Sequence, residues 1–93
     1  MDALTPHPPV LVLGRDTCED TIRARAHLAD RGVPYRYGNV EVDAEADVRN
    51  RSHNGGERVT PVILIGNPAE PTTVLIEPSN EELDGALGLV EPR

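Results

Sequence analysis

Cys18 is the one cysteine of this 93-residue chain, and it stands where a thiol can be made reactive. It follows the apolar run Val10-Leu11-Val12-Leu13, which stops at Gly14, and precedes a helical stretch from Glu19 to Arg31. A helix start presents free amide N–H groups and the positive end of the macrodipole, and both favour a thiolate over a thiol. A cysteine with a purely structural role more often lies inside an apolar strand or on a helix's core face. One sulfur rules out an internal disulfide and any metal site built on several cysteines of one chain. It is enough for thiol–disulfide exchange, which needs an accessible thiolate and a disulfide to attack.

Two further features bear on that thiol. Thr21 follows three residues later, one helical turn on, with a hydroxyl able to donate to a Cys18 thiolate. Val59-Thr60-Pro61 opens the apolar run Val62-Ile63-Leu64-Ile65. A proline at a strand start is tolerated because no ladder donor is lost there. The same dipeptide can instead be a cis peptide that turns the Thr60 backbone toward the thiol, a geometry rare among X–Pro bonds. His7, His27 and His53 lack metal-ligand spacing and are expected at the surface, so no metal site is expected. No serine–histidine–acid set and no glycine-rich phosphate loop is present.

The elements that must position these residues follow from the apolar patterning. Val10–Leu13 is expected to be a strand buried on both faces. The helix from Glu19 to Arg31 has acids in its first turn, Gly32 at its end and Pro34 just beyond. Tyr35 to Val42 is β-rich, with a phase slip at Gly38-Asn39 that suggests a bulge. Ala44 to His53 is a weakly apolar helix, short or frayed, with Ala44, Ala46 and Val48 toward a core; Asn54-Gly55-Gly56 ends it. Val62–Ile65 and Thr72–Ile76 form a hairpin across the loop 66–71. Ser79 and Glu82 make a capping box for a last helix to about Leu89, carrying Leu83, Leu87 and Val90. The order β-α-β-α-β-β-α implies an α/β domain. Its first half is a parallel βαβ unit with a right-handed crossover.

Composition narrows the setting. Ninety-three residues make one domain, expected over 10–90, with a disordered leader at 1–9 and a short tail at 91–93. A formal charge of −7 disfavours nucleic acid as a partner. No apolar run is long enough to span a membrane, and the start of the chain lacks a signal-peptide pattern, so a cytoplasmic monomer is expected. With no Phe or Trp, the core must be built from Val, Leu, Ile and Ala.

Taken together, these features resemble the glutaredoxin family of the thioredoxin superfamily, and most closely its mycoredoxin-like branch. The likeness covers residues 10–90. It rests on the thiol after the first strand, on Asn54-Gly55-Gly56-Glu57-Arg58-Val59-Thr60-Pro61-Val62, and on Pro78-Ser79-Asn80-Glu81-Glu82-Leu83. The resemblance implies a thioredoxin fold with a four-stranded mixed sheet flanked by helices. It also implies reduction of protein–small-thiol mixed disulfides by Cys18, with thiol-containing proteins as clients. A low-molecular-weight thiol, mycothiol or glutathione, would be the co-substrate, and no cofactor is tightly bound. By the same likeness Arg15 supports the thiolate, and Thr60 ahead of Pro61 pairs its backbone with the small thiol. Ser79 and Asn80 would receive a carboxylate of that thiol, as helix starts do. Arg49, Arg51 and Arg58 are candidates for a further anionic group.

The chain departs from that family in several places. Thr21 replaces the second cysteine, which leaves no internal disulfide cycle. Glu19 and Asp20 replace neutral residues beside the thiol. A carboxylate about 6–8 Å away costs a thiolate about 0.5–1.4 kcal/mol at an effective dielectric of about 40–80. The helix terminus returns about 0.3–2 kcal/mol. With a smaller contribution from Arg15 the terms roughly cancel, so Cys18 is expected near its ordinary range and slow at neutral pH. Val-Thr-Pro stands where the family has Thr-Val-Pro, the second helix is unusually polar, and the loop before Thr72 is longer. A binding or regulatory module with a weakly reactive cysteine is therefore the alternative. Iron–sulfur carriage is a third reading, against which the charged Glu19-Asp20 pair argues.

Overall fold

The computed structural model describes residues 8–89. Most of the expected leader and all of the expected tail, with His7 and Val90, lie outside the described residues. The elements run β1 (Val10–Gly14), α1 (Glu19–Asp30), β2 (Arg36–Asn39), α2 (Ala44–Ser52), β3 (Val62–Asn67), β4 (Glu70–Ile76) and α3 (Asn80–Leu87). The fold is α/β. One mixed sheet has the order β2-β1-β3-β4, with β1 and β2 parallel and the other pairs antiparallel. A parallel pair needs a crossover, which α1 supplies, whereas β3 and β4 join through a tight turn. This arrangement is compatible with the thioredoxin-like fold implied by the sequence. Among the described residues no helix is long and apolar enough to cross a membrane.

Strand alternation divides the core between the two faces of the sheet. Val10 and Val12 of β1 with Ile63 and Ile65 of β3 pack against Ala24 and Leu28 of α1 and Leu83 of α3. Leu13, Val62 and Leu64 face the other way, onto Ala46 of α2 and Val40. Both central strands are thus covered on both faces, which is why each is a continuous apolar run.

Several expected details are corrected. β2 ends at Asn39, and its register with β1 runs unbroken from Leu11↔Arg36 to Gly14↔Asn39, so there is no bulge at Gly38-Asn39. The phase slip marks a turn instead. Asn39 Oδ1 accepts the Glu41 N–H (2.9 Å), the Asn39 carbonyl accepts from Val42 and Asp43, and Val42 is 82% exposed. In α2 only Ala46 of the three expected apolar positions is buried; Ala44 is exposed and Val48 is 68% exposed. The second buried residue of α2 is Asn50. What starts this helix is Asp43, whose side chain accepts the N–H groups of Glu45 and Ala46.

The span 66–71 is largely strand rather than loop. β3 extends to Asn67, and only Pro68 and Ala69 separate it from β4. A register shift at Ile65/Gly66, with Gly66 at φ 102°, absorbs the extra residue as a bulge, a conformation suited to glycine. The last helix stops at Leu87 rather than Leu89, with Gly88 left-handed behind it. His27, expected at the surface, is half-buried. Its Nε2 lies 2.7 Å from Asp84 Oδ1 and links α1 to α3.

Candidate functional site

β1 delivers the chain to Gly14 at the edge of the core, and Arg15-Asp16-Thr17 turns it into α1. Cys18 is the N-cap residue (φ −83°, ψ 120°), and its carbonyl accepts the Ile22 N–H at 2.9 Å. Its thiol is half-buried at the helix start, beside the backbone N–H groups of Asp20 and Thr21.

Thr21 lies fully buried directly behind it. It can do so because Gly14 has no side chain: a Cβ there would come within 2.5 Å of the Thr21 side chain. Thr21 Oγ1 accepts the Arg15 N–H at 3.3 Å, which leaves the hydroxyl proton for the sulfur.

The facing wall comes from the segment before β3. The Thr60–Pro61 peptide is cis, and Cys18 Sγ points at the Thr60 carbonyl oxygen across 3.7 Å. Arg15 Nε donates to Thr60 Oγ1 at 3.4 Å, so Arg15 spans from the thiol loop to this wall. Its Nη1 is also 3.9 Å from Glu41 Oε2. The Pro61 carbonyl accepts the Glu77 N–H at 2.8 Å, which brings the β4–α3 junction into the site.

These groups enclose an open cleft of about 440 Å³. Cys18, Val59 and Thr60 line it together with the basic Arg15 and Arg58 and the acidic Asp20 and Glu77. Burial pushes the Cys18 thiol up, but hydrogen bonds outweigh it. The Thr21 and Thr60 side chains and the Thr21 and Asp20 backbone amides hold the thiol below its ordinary value. Of the two acids expected to oppose this, Asp20 lines the cleft but is paired, its carboxylate 3.6 Å from Arg23, and Glu19 is open to solvent.

No family model, curated protein or solved structure matches this chain. What can be said of its function therefore comes from the residues and their geometry.

The remaining expected residues lie partly beside the cleft and partly away from it. Ser79 caps α3 in a complete capping box: its Oγ accepts the Glu82 N–H, and its own N–H donates to Glu82 Oε1. Asn80 Oδ1 accepts from Arg23 Nη1 at 2.6 Å, and Arg23 Nη2 donates to the Pro78 carbonyl. Both residues line an adjoining cleft with Asp20, Glu77, Glu81 and Glu82, four carboxylates against the single guanidinium of Arg23. Arg49 donates to the Pro68 carbonyl, and Arg51 pairs with Asp47. Arg58 also pairs with Asp47 (3.0 Å) and reaches the Val40 carbonyl; of these three arginines it alone lines the thiol cleft. Among the described residues no three His, Cys, Asp or Glu side chains converge as metal ligands would.

Sequence reasoning passed over three contributors. Asn50 donates to the Val59 carbonyl and accepts its N–H. Its spacing of four from Ala46 was the available signal, since that places both on one helix face. Glu77, at φ 51°, had none. The third is a brace on the thiol loop: Tyr37 OH donates to Asp16 at 2.8 Å, with the Arg25 guanidinium 3.7 Å above the Tyr37 ring.

Proposed function

We propose that the chain is a glutaredoxin-like thiol–disulfide exchange protein working through Cys18 alone. The observation that supports this reading is an accessible thiol at a helix start, held below its ordinary pKa and facing the backbone of a cis-proline segment across 3.7 Å.

In the exchange, the Cys18 thiolate attacks the small-thiol sulfur of a protein mixed disulfide. A new Cys18–small-thiol S–S bond forms as the S–S bond of the mixed disulfide breaks, and the client leaves as a thiolate and takes up a proton. A second small thiol, as its thiolate, attacks the small-thiol sulfur of that adduct. Cys18 is released, and the two small thiols depart as a disulfide. The client sulfur is reduced and the second small thiol is oxidised in its place, the first passing from one disulfide to another. Thr21 stabilises the sulfur each time it bears charge. The Thr60 backbone offers peptide-type hydrogen bonds to a small thiol such as glutathione or mycothiol. A glutathione carboxylate fits better against Arg15 and Arg58 than at Ser79 and Asn80, where four acids surround a single guanidinium.

The test is the reduction of a glutathionylated peptide, with glutathione as the resolving thiol. The native chain turns over and Cys18→Ala does not. Equal background rates for both would refute the reading. The acidic rim at Asp20 and Glu77 favours a second reading, a module that binds a partner at this cleft. Retained partner capture by Cys18→Ala in the absence of turnover would select it.

A further inference from the structure

We propose that Asn50, on α2, is a positioning residue that holds the Val59-Thr60-Pro61 segment against Cys18. The proposal rests on the exchange reading of the cleft and adds a residue outside it.

Asn50 is an amide buried to zero exposure in a helix that otherwise buries only Ala46. Its Nδ2 donates to the Val59 carbonyl at 2.6 Å, and its Oδ1 accepts the Val59 N–H at 3.0 Å. One side chain thus satisfies both backbone polar groups of a residue that lies in no strand. An asparagine side chain carries the same donor and acceptor as a peptide unit, so it substitutes for a neighbouring strand.

The next residue is Thr60. Its carbonyl faces Sγ at 3.7 Å, and its hydroxyl receives Arg15. Any shift of Val59 therefore moves the wall the thiol faces. The ties between α2 and the stretch leading into this segment, Arg58 to Asp47 and Arg51 to the Gly56 carbonyl, run over the surface and are correspondingly weak. The tie at Pro61 comes from the other side, through the Glu77 N–H. Asn50 is the buried link between α2 and the wall. Its own carbonyl accepts from Asn54 Nδ2 at 2.7 Å, which fixes the helix end that carries it.

A merely structural residue would alter stability and leave the thiol's titration in place. The experiment is the rate of iodoacetamide alkylation of Cys18 against pH in the native chain, in Asn50→Ala and in Val48→Ala, an exposed position on the same helix. The Thr60 hydroxyl, whose hydrogen bond favours the thiolate, withdraws with the segment, so the midpoint rises in Asn50→Ala and the rate at neutral pH falls about threefold because less thiolate is present. Val48→Ala matches the native profile. A folded Asn50→Ala with an unchanged midpoint would overturn the proposal. Should that variant not fold, amide hydrogen exchange of the native chain decides. Val59 N–H is protected as strand amides are, and exchange at the rate of an exposed loop would overturn the proposal equally. Alkylation needs no disulfide, so absent turnover on a mixed disulfide would fail the exchange reading without touching this result.

Discussion

The sulfur of Cys18 stands 3.7 Å from the carbonyl oxygen of Thr60, although 42 positions separate the two residues in the chain. The antiparallel pairing of β1 with β3 creates that proximity, because it lays the end of one strand beside the start of the other. Leu13 faces Val62 in the register, so the residues just after Leu13 and just before Val62 must meet. The site is a product of strand order, and its reactivity is a product of the hydrogen bonds gathered there.

Thr21→Val tests the hydroxyl behind the sulfur. The shape is nearly kept, but the donor to the thiolate and the acceptor for the Arg15 N–H are lost. Cys18 then titrates higher, and alkylation at neutral pH slows by about two- to fivefold. Gly14→Ala attacks the same spot sterically. A Cβ 2.5 Å from Thr21 forces the helix start away from β1 and costs about 1–3 kcal/mol in urea unfolding.

The lowered Cys18 pKa has a sign in stability. The folded chain releases the thiol proton at a lower pH than the unfolded chain, whose ordinary value is 9.0. Stability from this group is therefore complete above that value and is lost as pH falls through the folded-state value. Urea titrations at several pH values show a rise across this window, and Cys18→Ala removes it.

Tyr37 moves the other way. Burial, then the hydrogen bond to Asp16 and its charge, push its phenol up to about 12. A raised folded-state pKa means stability that is whole below the ordinary value of 10.0 and is lost as pH climbs toward 12. Ultraviolet titration of the native chain shows a late-ionising tyrosine. In Asp16→Asn the Tyr37 ionisation returns toward its ordinary value, since the carboxylate that opposes a phenolate is gone.

Glu77 and Asp20 line the thiol cleft together with Arg15 and Arg58. Glutathione disulfide brings carboxylates to this rim, so Glu77→Gln accelerates adduct formation on Cys18 by about two- to fivefold at low ionic strength. The gain shrinks in high salt because the groups are solvent-exposed. Mass spectrometry of quenched time points measures both rates.

Local signals in the sequence carried much of this site. Cys18 between an apolar strand and first-turn acids, Pro61 before another apolar strand, and Ser79 three residues ahead of Glu82 each have a short-range physical meaning. The structure contains the elements they imply. What local patterning could not supply was partnership across the fold. Val42 fits a strand by type, but the Asn39 side chain ends that strand in a turn. Asn50 looks like a solvent-facing helical polar residue until Val59 is folded against it. Asn80 looks free to meet a ligand until α1 brings Arg23 within 2.6 Å. The first depends on one side chain's choice of a local turn, and the other two on contacts between separate elements, none of which composition and periodicity encode.

The most direct measurement compares the rate at which glutathione disulfide modifies Cys18 in the native chain and in the urea-unfolded chain at neutral pH. Folding supplies the Thr21 hydroxyl, the helix amides and the open cleft, so the native thiol takes up one glutathionyl group faster than the unfolded one. A native thiol that reacts more slowly than the unfolded one, or gains no adduct, would contradict a Cys18 activated by its place in the fold.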